Sequence, residues 1–352
     1  MTQSPRRFVL YAQNHLNALG SKTANGMIMF RGQEVVGIID KSKAGQTAQD
    51  VLGYGGEIPI VKNVSDTLAF NPDVLIIGVA PIGGAVNPDW VPELNLALEA
   101  GVEVWSGLHH FLGDIEEFSH HKQLIWDVRK PPADLKIARG NWRNRKSRVL
   151  LTIGSDSNVG KMTTALTLQK HLREKGLESI FLGTGQTGMM ISGAGVAVDA
   201  VVSDFVNGAI EAEIDKVDGQ APLIIIEGQG AITHMGYSGV TMGLLHGCMP
   251  DAFVVAHQPS RLMDDYGHHL PNLNTVIDLH ESLVAPFKIA KVLGINIYSK
   301  GLSSEATQVE CSSIHHDLNL PVEDMVLAPR YTIADSVINY LFPEGVERVM
   351  GQ

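Results

Sequence analysis

The sequence predicts an α/β protein with a parallel sheet in each of two halves, and three observations carry that prediction. Its apolar runs are continuous rather than alternating, as in "DVLIIGV" (73–79) and "LIIIEGQG" (223–230), which is what strands buried on both faces require. Helical patterns such as "WVPELNLALEAG" (90–101) and "TALTLQKHLREKG" (164–176) separate those runs, so strand and helix alternate. The 352 residues are 44% hydrophobic, enough for two cores at ~150 residues per domain.

Taken in order, the first half offers "MIMF" (27–30), "EVVGIID" (34–40), "DVLIIGV" and "VEVWSGL" (102–108) as β-rich runs, with the amphipathic helix 90–101 before the last. Next comes "RKPPADLKIARGNWRNRKSR" (129–148), with eight basic residues and one acid. Its Pro-Pro pair and lack of an apolar period predict a solvated basic connector, with contact to an anionic cofactor as the competing role. The second half offers "RVLLTIG" (148–154), "SIFLGTG" (179–185), "LIIIEGQG", "AFVVAHQ" (252–258) and "INIYSKG" (295–301) as strands, with helices at 164–176 and "SLVAPFKIAKVLG" (282–294) between them. The predicted organisation is a first domain at 1–128, a basic connector at 129–148 and a second domain at 149–352.

The net charge of −11 is unevenly placed: residues 1–150 carry 16 Lys and Arg against 15 Asp and Glu, and residues 151–352 carry 11 against 23. An acidic half argues against nucleic acid as a partner. No run reaches the ~18 apolar residues of a membrane span, and "MTQSPRRFVLYAQNHL" lacks the pattern of a secretory leader. The expectation is a cytoplasmic protein with no membrane attachment. Two cysteines, Cys248 and Cys311, are too few for a disulfide framework and read as packed thiols in a reducing compartment.

The segment "RVLLTIGSDSNVGKMTTA" runs from strand to glycine-bounded loop to helix. Gly154, Ser155, Asp156, Ser157, Asn158, Val159, Gly160 and Lys161 form the loop, and Met162, Thr163 and Thr164 open the helix. Successive backbone N–H groups, the positive helix end and the lysine converge there, so a phosphate is the expected guest. Five residues rather than four separate the glycines, and Met162 stands where a magnesium-binding hydroxyl normally follows the lysine. Glu227, at the end of an apolar strand, is an acid at the carboxyl edge of the same sheet, where ligands enter such folds. These two pieces are similar to the dethiobiotin synthetase branch of P-loop proteins, which implies ATP chemistry.

A longer set of blocks resembles another family over nearly the whole chain: "SKTANGMIMF", "VVGIIDKSKAGQTAQDVLG", "DVLIIGVAPIGGAVNPDW", "VWSGLHHFL", "WDVRKPP", "GSDSNVGKMTTA", "GTGQTGMMISGAGVAVDAVVSDFVNGAIE", "IEGQGAITH" and "HQPSR". They look like the DgcN-type family of D-glutamate N-acetyltransferases. The resemblance implies a Rossmann-like N-terminal domain and a P-loop-like C-terminal domain. It also implies acetyl-CoA as donor, an acidic amino acid as acceptor, and a homo-oligomer, dimer or tetramer. Residues 22–79 also resemble the CoA-binding domain of succinyl-CoA synthetase. On this reading the loop holds a phosphate of CoA, and no metal is required.

Forming an amide from a thioester needs a neutral amine, a group to accept its proton, and donors facing the developing oxyanion. "APIGGAVNPDWVPE" lies just beyond a crevice strand and offers Gly83 and Gly84 as donors, with Asp89, ranked first, and Glu93 as bases. Asp89 after Asn87-Pro88 also reads as a helix N-cap. His109 or His110, after "WSGL", is a further candidate proton acceptor, while the adjacent spacing of the histidine pairs does not suit a helical zinc pair. An acidic acceptor needs cations, and Lys22, Arg129 and Arg261 lie in blocks shared with the family. With Glu227 they form the expected substrate-binding set. Two other readings stay open: an ATP-dependent ligase or kinase, and a non-catalytic sensor of CoA or nucleotide.

Overall fold

Every pairing between named strands in the computed structural model is parallel, in two separate six-stranded sheets. The structure describes residues 5–18, 20–79 and 83–345; the Ala80-Pro81-Ile82 start of the expected glycine loop lies outside them. By contacts the chain divides into one unit of Met1–Lys130 with Gln186–Gly193, and another of Pro131–Gly185 with Ala194–Gln352. Among the described residues no helix is long and apolar enough to cross a membrane.

The first unit runs β1 (Phe8–Tyr11), α1 (Lys22–Arg31), β2 (Val35–Ile39), α2 (Ala48–Leu52), β3 (Ile60–Val61), α3 (Val64–Thr67), β4 (Val74–Ile77), α4 (Val91–Glu99), β5 (Glu103–Ser106) and β6 (Ile125–Asp127). Its strand order β3-β2-β1-β4-β5-β6 is the Rossmann arrangement, with a crevice where the order reverses between β1 and β4. The run "MIMF", expected as a strand, is helical within α1. Residues Thr23 to Ile28 are all buried, and a short apolar run of this kind does not distinguish helix from buried strand. Gly78 permits its close approach, since a Cβ there would lie 2.7 Å from the Ala24 Cβ. The opening strand is "FVLY", buried throughout.

The second unit runs β7 (Arg148–Gly154), α5 (Lys161–Glu174) and β8 (Ser179–Leu182). After α6 (Gln186–Ser192), which packs with the first unit, it resumes with α7 (Val206–Val217), β9 (Leu223–Ile226), α8 (Ser238–Cys248), β10 (Ala252–His257), α9 (Leu273–Val284), β11 (Lys291–Ile297), α10 (Ser304–Leu318), β12 (Val322–Glu323) and α11 (Thr332–Leu341). The order β12-β11-β10-β7-β9-β8 places β7 between β10 and β9, so the loop after β7 is flanked by the carboxyl ends of both neighbours. The helix expected at 282–294 stops at Val284. Pro286 cannot donate the next helical hydrogen bond, and Lys291 already pairs with Ala252 in the sheet.

Residues 131–148 keep most of their side chains exposed, as a solvated connector would, yet their backbone is tied to the second unit. Buried Glu211 on α7 accepts the backbone N–H of Arg139 (2.6 Å) and Asn141 (2.8 Å), and Asp218 accepts those of Lys146 and Ser147. At Gly208 the segment presses so close that a Cβ would lie 1.7 Å from the Lys136 carbonyl oxygen. Stripped of an apolar period, the segment is held by backbone hydrogen bonds, which composition does not reveal.

Candidate functional site

The loop after β7 is shaped by residues in the left-handed region, Asn158 (φ 57°) and Gly160 (φ 94°), which curl the chain so that its N–H groups turn inward. Among the described residues the N–H groups of Ser157, Val159 and Gly160 meet no protein acceptor. The Lys161 ammonium is buried and arches back to the Asp156 carbonyl at 2.8 Å, so its charge sits inside the loop. Thr164 turns its hydroxyl to β11, where it accepts from Asn296 (2.8 Å). Met162 brings a thioether to the place of the usual hydroxyl. The arrangement is an anion cradle made of backbone donors, one lysine and a helix start.

Glu227 follows β9 directly and is buried. Its carboxylate accepts the N–H of Thr184 (2.9 Å) and Gly185 (3.2 Å). Burial raises its pKa to about 7, against the pull of those two N–H groups and of nearby Lys161. The chain reaches this position only because residue 228 is glycine: a Cβ there would lie 1.8 Å from the Thr152 carbonyl oxygen. On the other flank, His257 at the end of β10 meets the Ser155 hydroxyl through Nδ1 at 2.8 Å, and burial lowers its pKa to about 4, so it is neutral at physiological pH.

Arg261 binds Asp156 (2.6 Å) and Asp265 (2.8 Å), and Asp265 accepts from Ser157 (3.4 Å). The Asp156 side chain is buried within the loop and its Oδ1 has no partner. Arg261 therefore neutralises an acid that would repel an anionic guest. The structure thus gathers Gly154 to Thr164, Glu227 and Arg261 around one loop of the second unit.

Sequence reasoning missed His234. It is 2% exposed, stacked on Tyr237 at 4.5 Å and tilted against Tyr266 at 5.5 Å. Its Nδ1 accepts from the Gly236 N–H (3.2 Å), which leaves the proton of the neutral ring on Nε2, and that buried nitrogen has no partner. A buried unpaired donor calls for an acceptor from outside the chain. The block "IEGQGAITH" contained the residue but gave no reason to single it out.

The remaining candidates lie in the first unit. Gly84 is buried against His109, and its carbonyl accepts the N–H of both His109 (3.1 Å) and His110 (3.2 Å); both imidazoles are exposed, as is Gly83. Asp89 is exposed in the turn Pro88–Trp90 and is not the cap: Asn87 accepts the Asp89 N–H at 3.0 Å. Glu93 accepts the Val64 N–H at the start of α3 (2.6 Å). Burial, then Glu93 and Asp89, push the Tyr11 phenol well up. Lys22 opens α1 on the surface. Arg129 is buried, binding the Gly107 carbonyl (2.8 Å) and Gln186 (2.7 Å).

Comparison with known proteins gives the same two-part division. Residues 41–131 match the DUF1611_N Rossmann-like domain and residues 136–333 the DUF1611_C P-loop domain, both described as of unknown function. A D-glutamate N-acetyltransferase of Tritonibacter scottomollicae is 33% identical over 92% of this chain and 95% of its own. One of Pseudoalteromonas is 31% identical over 90% and 94%. A crystal structure of a DUF1611 protein from Anabaena variabilis superposes with a TM-score of 0.87 at 34% identity, covering 95% of this chain and 99% of the other. The resemblance read from the sequence blocks is met by these matches.

Proposed function

Given that the chain belongs to the DUF1611 family, we propose that it is an N-acetyltransferase that moves acetyl from acetyl-CoA to the amine of an acidic amino acid, D-glutamate first among them. The observation that carries this reading is Glu227: a buried carboxyl with a pKa of about 7 beside an anion cradle. A base poised near neutral pH suits an ammonium that must lose a proton before it can attack. The names of the relatives supply the acceptor.

In the proposed step the neutral amine attacks the thioester carbonyl, the C–N bond forms and the C–S bond breaks. Glu227 accepts the ammonium proton, the departing thiolate takes a proton, and the reaction releases one proton net. The loop N–H groups and Lys161 hold a CoA phosphate, and the unpaired His234 Nε2–H is a donor for a substrate oxygen. Asp89 in the first unit is the competing base.

The test is purified protein with acetyl-CoA and, separately, D-glutamate, L-glutamate and D-alanine, following free thiol and product mass. Thiol release with D-glutamate and an acetylated product is the expected result. Lys161→Ala should weaken CoA binding by calorimetry, since it removes the cation set within the loop. No acetylation of any amino acid, together with magnesium-dependent ATP hydrolysis, would replace this reading with the ligase or kinase one.

A further inference from the structure

At the amino-terminal edge of the second sheet lies a cavity of about 380 Å³ walled by Trp142, Arg143, Arg145, Lys146, Arg148 and Lys288, with Asp251 as the acidic residue in its lining. Lys288 (2.6 Å) and Arg148 (3.7 Å) share that carboxylate, whose other oxygen accepts the Val149 N–H. Arg145 donates to the carbonyls of Cys248 and Gly247 at the end of α8, and its Nε is buried without a partner. Among the described residues Arg143 meets only the carbonyl of Gly140 (3.2 Å) and the Trp142 ring (4.5 Å). Among the described residues the Lys146 ammonium has no acceptor. The neighbouring Asp218 is occupied by the N–H groups of Lys146 and Ser147.

Five cations thus face one cavity, with Asp251 the acid in its lining and Asp218 close by. Like charges held together repel, and the repulsion is relieved by a guest of opposite sign. Asp251 already pairs with Lys288 and Arg148, and phosphate oxygens accept from several of the remaining arginine and lysine donors at once. The site is separate from the loop at the other edge: Arg148 begins β7 and Gly154 ends it, a span of roughly 20 Å at ~3.3 Å per residue.

We propose that this cavity is a second anion site, built for a compact phosphate-class polyanion, either free or as the phosphate end of a nucleotide. Trp142 is a built-in reporter, because the other three tryptophans, Trp90, Trp105 and Trp126, lie in the first unit. The full chain is titrated with pyrophosphate, ATP and citrate in magnesium-free buffer at constant ionic strength. Expected is a saturable fluorescence change with pyrophosphate that vanishes in Trp142→Phe, weakens at least tenfold in the exposed double variant Arg143→Gln/Lys146→Gln, and persists in Lys161→Ala. Tighter binding of ATP assigns a nucleotide and equal binding a free phosphate; either supports the site. Calorimetry in the Trp142→Phe background checks that binding itself is intact. Absence of saturation by both phosphates, response to citrate alone, or loss of binding in Lys161→Ala would overturn it.

Discussion

Near pH 7 the Glu227 carboxyl is divided between its two protonation states, and the two consequences have opposite sign. In the unfolded chain it titrates at its ordinary 4.5, so the folded state binds more protons between that value and about 7. Its contribution to stability is therefore full below 4.5 and lost as pH rises through about 7. The base role proposed for it follows the reverse course, because only the deprotonated form accepts a proton. Glu227→Gln should abolish the limb of kcat/KM near pH 7 and lower turnover ~100- to 10,000-fold, yet melt at a higher temperature than the parent at pH 8. Asp89→Asn, in an exposed turn, should change both little; a large loss there with normal Glu227→Gln turnover would move the base to the first unit. Glu227 stood out in the sequence because it follows an apolar strand directly, and Lys161 because it closes a glycine-bounded loop between strand and helix. His234 was not, since its isolation depends on a backbone N–H and two tyrosine rings that spacing does not bring to view.

A connection without an apolar face can still be anchored through its backbone, and the clearest case is residues 131–148. A Cβ at Gly208 would lie 1.7 Å from the Lys136 carbonyl, a backbone atom that cannot swing aside. Gly208→Ala should therefore lift the segment from α7 and loosen its bonds to Glu211. Overpacking costs about 1–3 kcal/mol, and for a unit of this size each kcal/mol lowers Tm by about 2–4 °C; calorimetry together with faster proteolysis within 131–148 is the check. Wild-type melting in Gly208→Ala would mean that the segment detaches freely. Elements were legible where length and flanking signals agreed, as in α5 and β7. They were misread where four apolar residues, Met27–Phe30, were too few to tell helix from strand, and where proline split an apolar stretch, at Pro286. In both places tertiary burial or backbone chemistry outweighs periodicity.

The first unit is not one continuous stretch of chain, because it includes Gln186–Gly193 from the second half. The excursion is pinned at its base: Gly183 and Gly195 form an isolated bridge, and Gly195, at φ 120°, would place a Cβ 1.9 Å from the Gly183 carbonyl oxygen. From there α6 supplies what α1 and β5 lack. Thr187 meets Thr23 at 2.9 Å, Arg31 donates to the Ile191 carbonyl at 2.7 Å, and Met190 packs toward Gly107. Met189, Met190 and Ile191 are buried, and each large apolar side chain so buried contributes about 1.5–3 kcal/mol. Their sum is comparable with the ~5–15 kcal/mol that holds a domain folded. Residues 1–130 expressed alone should therefore fail to melt cooperatively, and the same fragment joined by a flexible linker to residues 186–193 should regain a sharp transition by circular dichroism. A cooperative melt of 1–130 at the temperature of the joined fragment would show that α6 merely rests on a unit already complete.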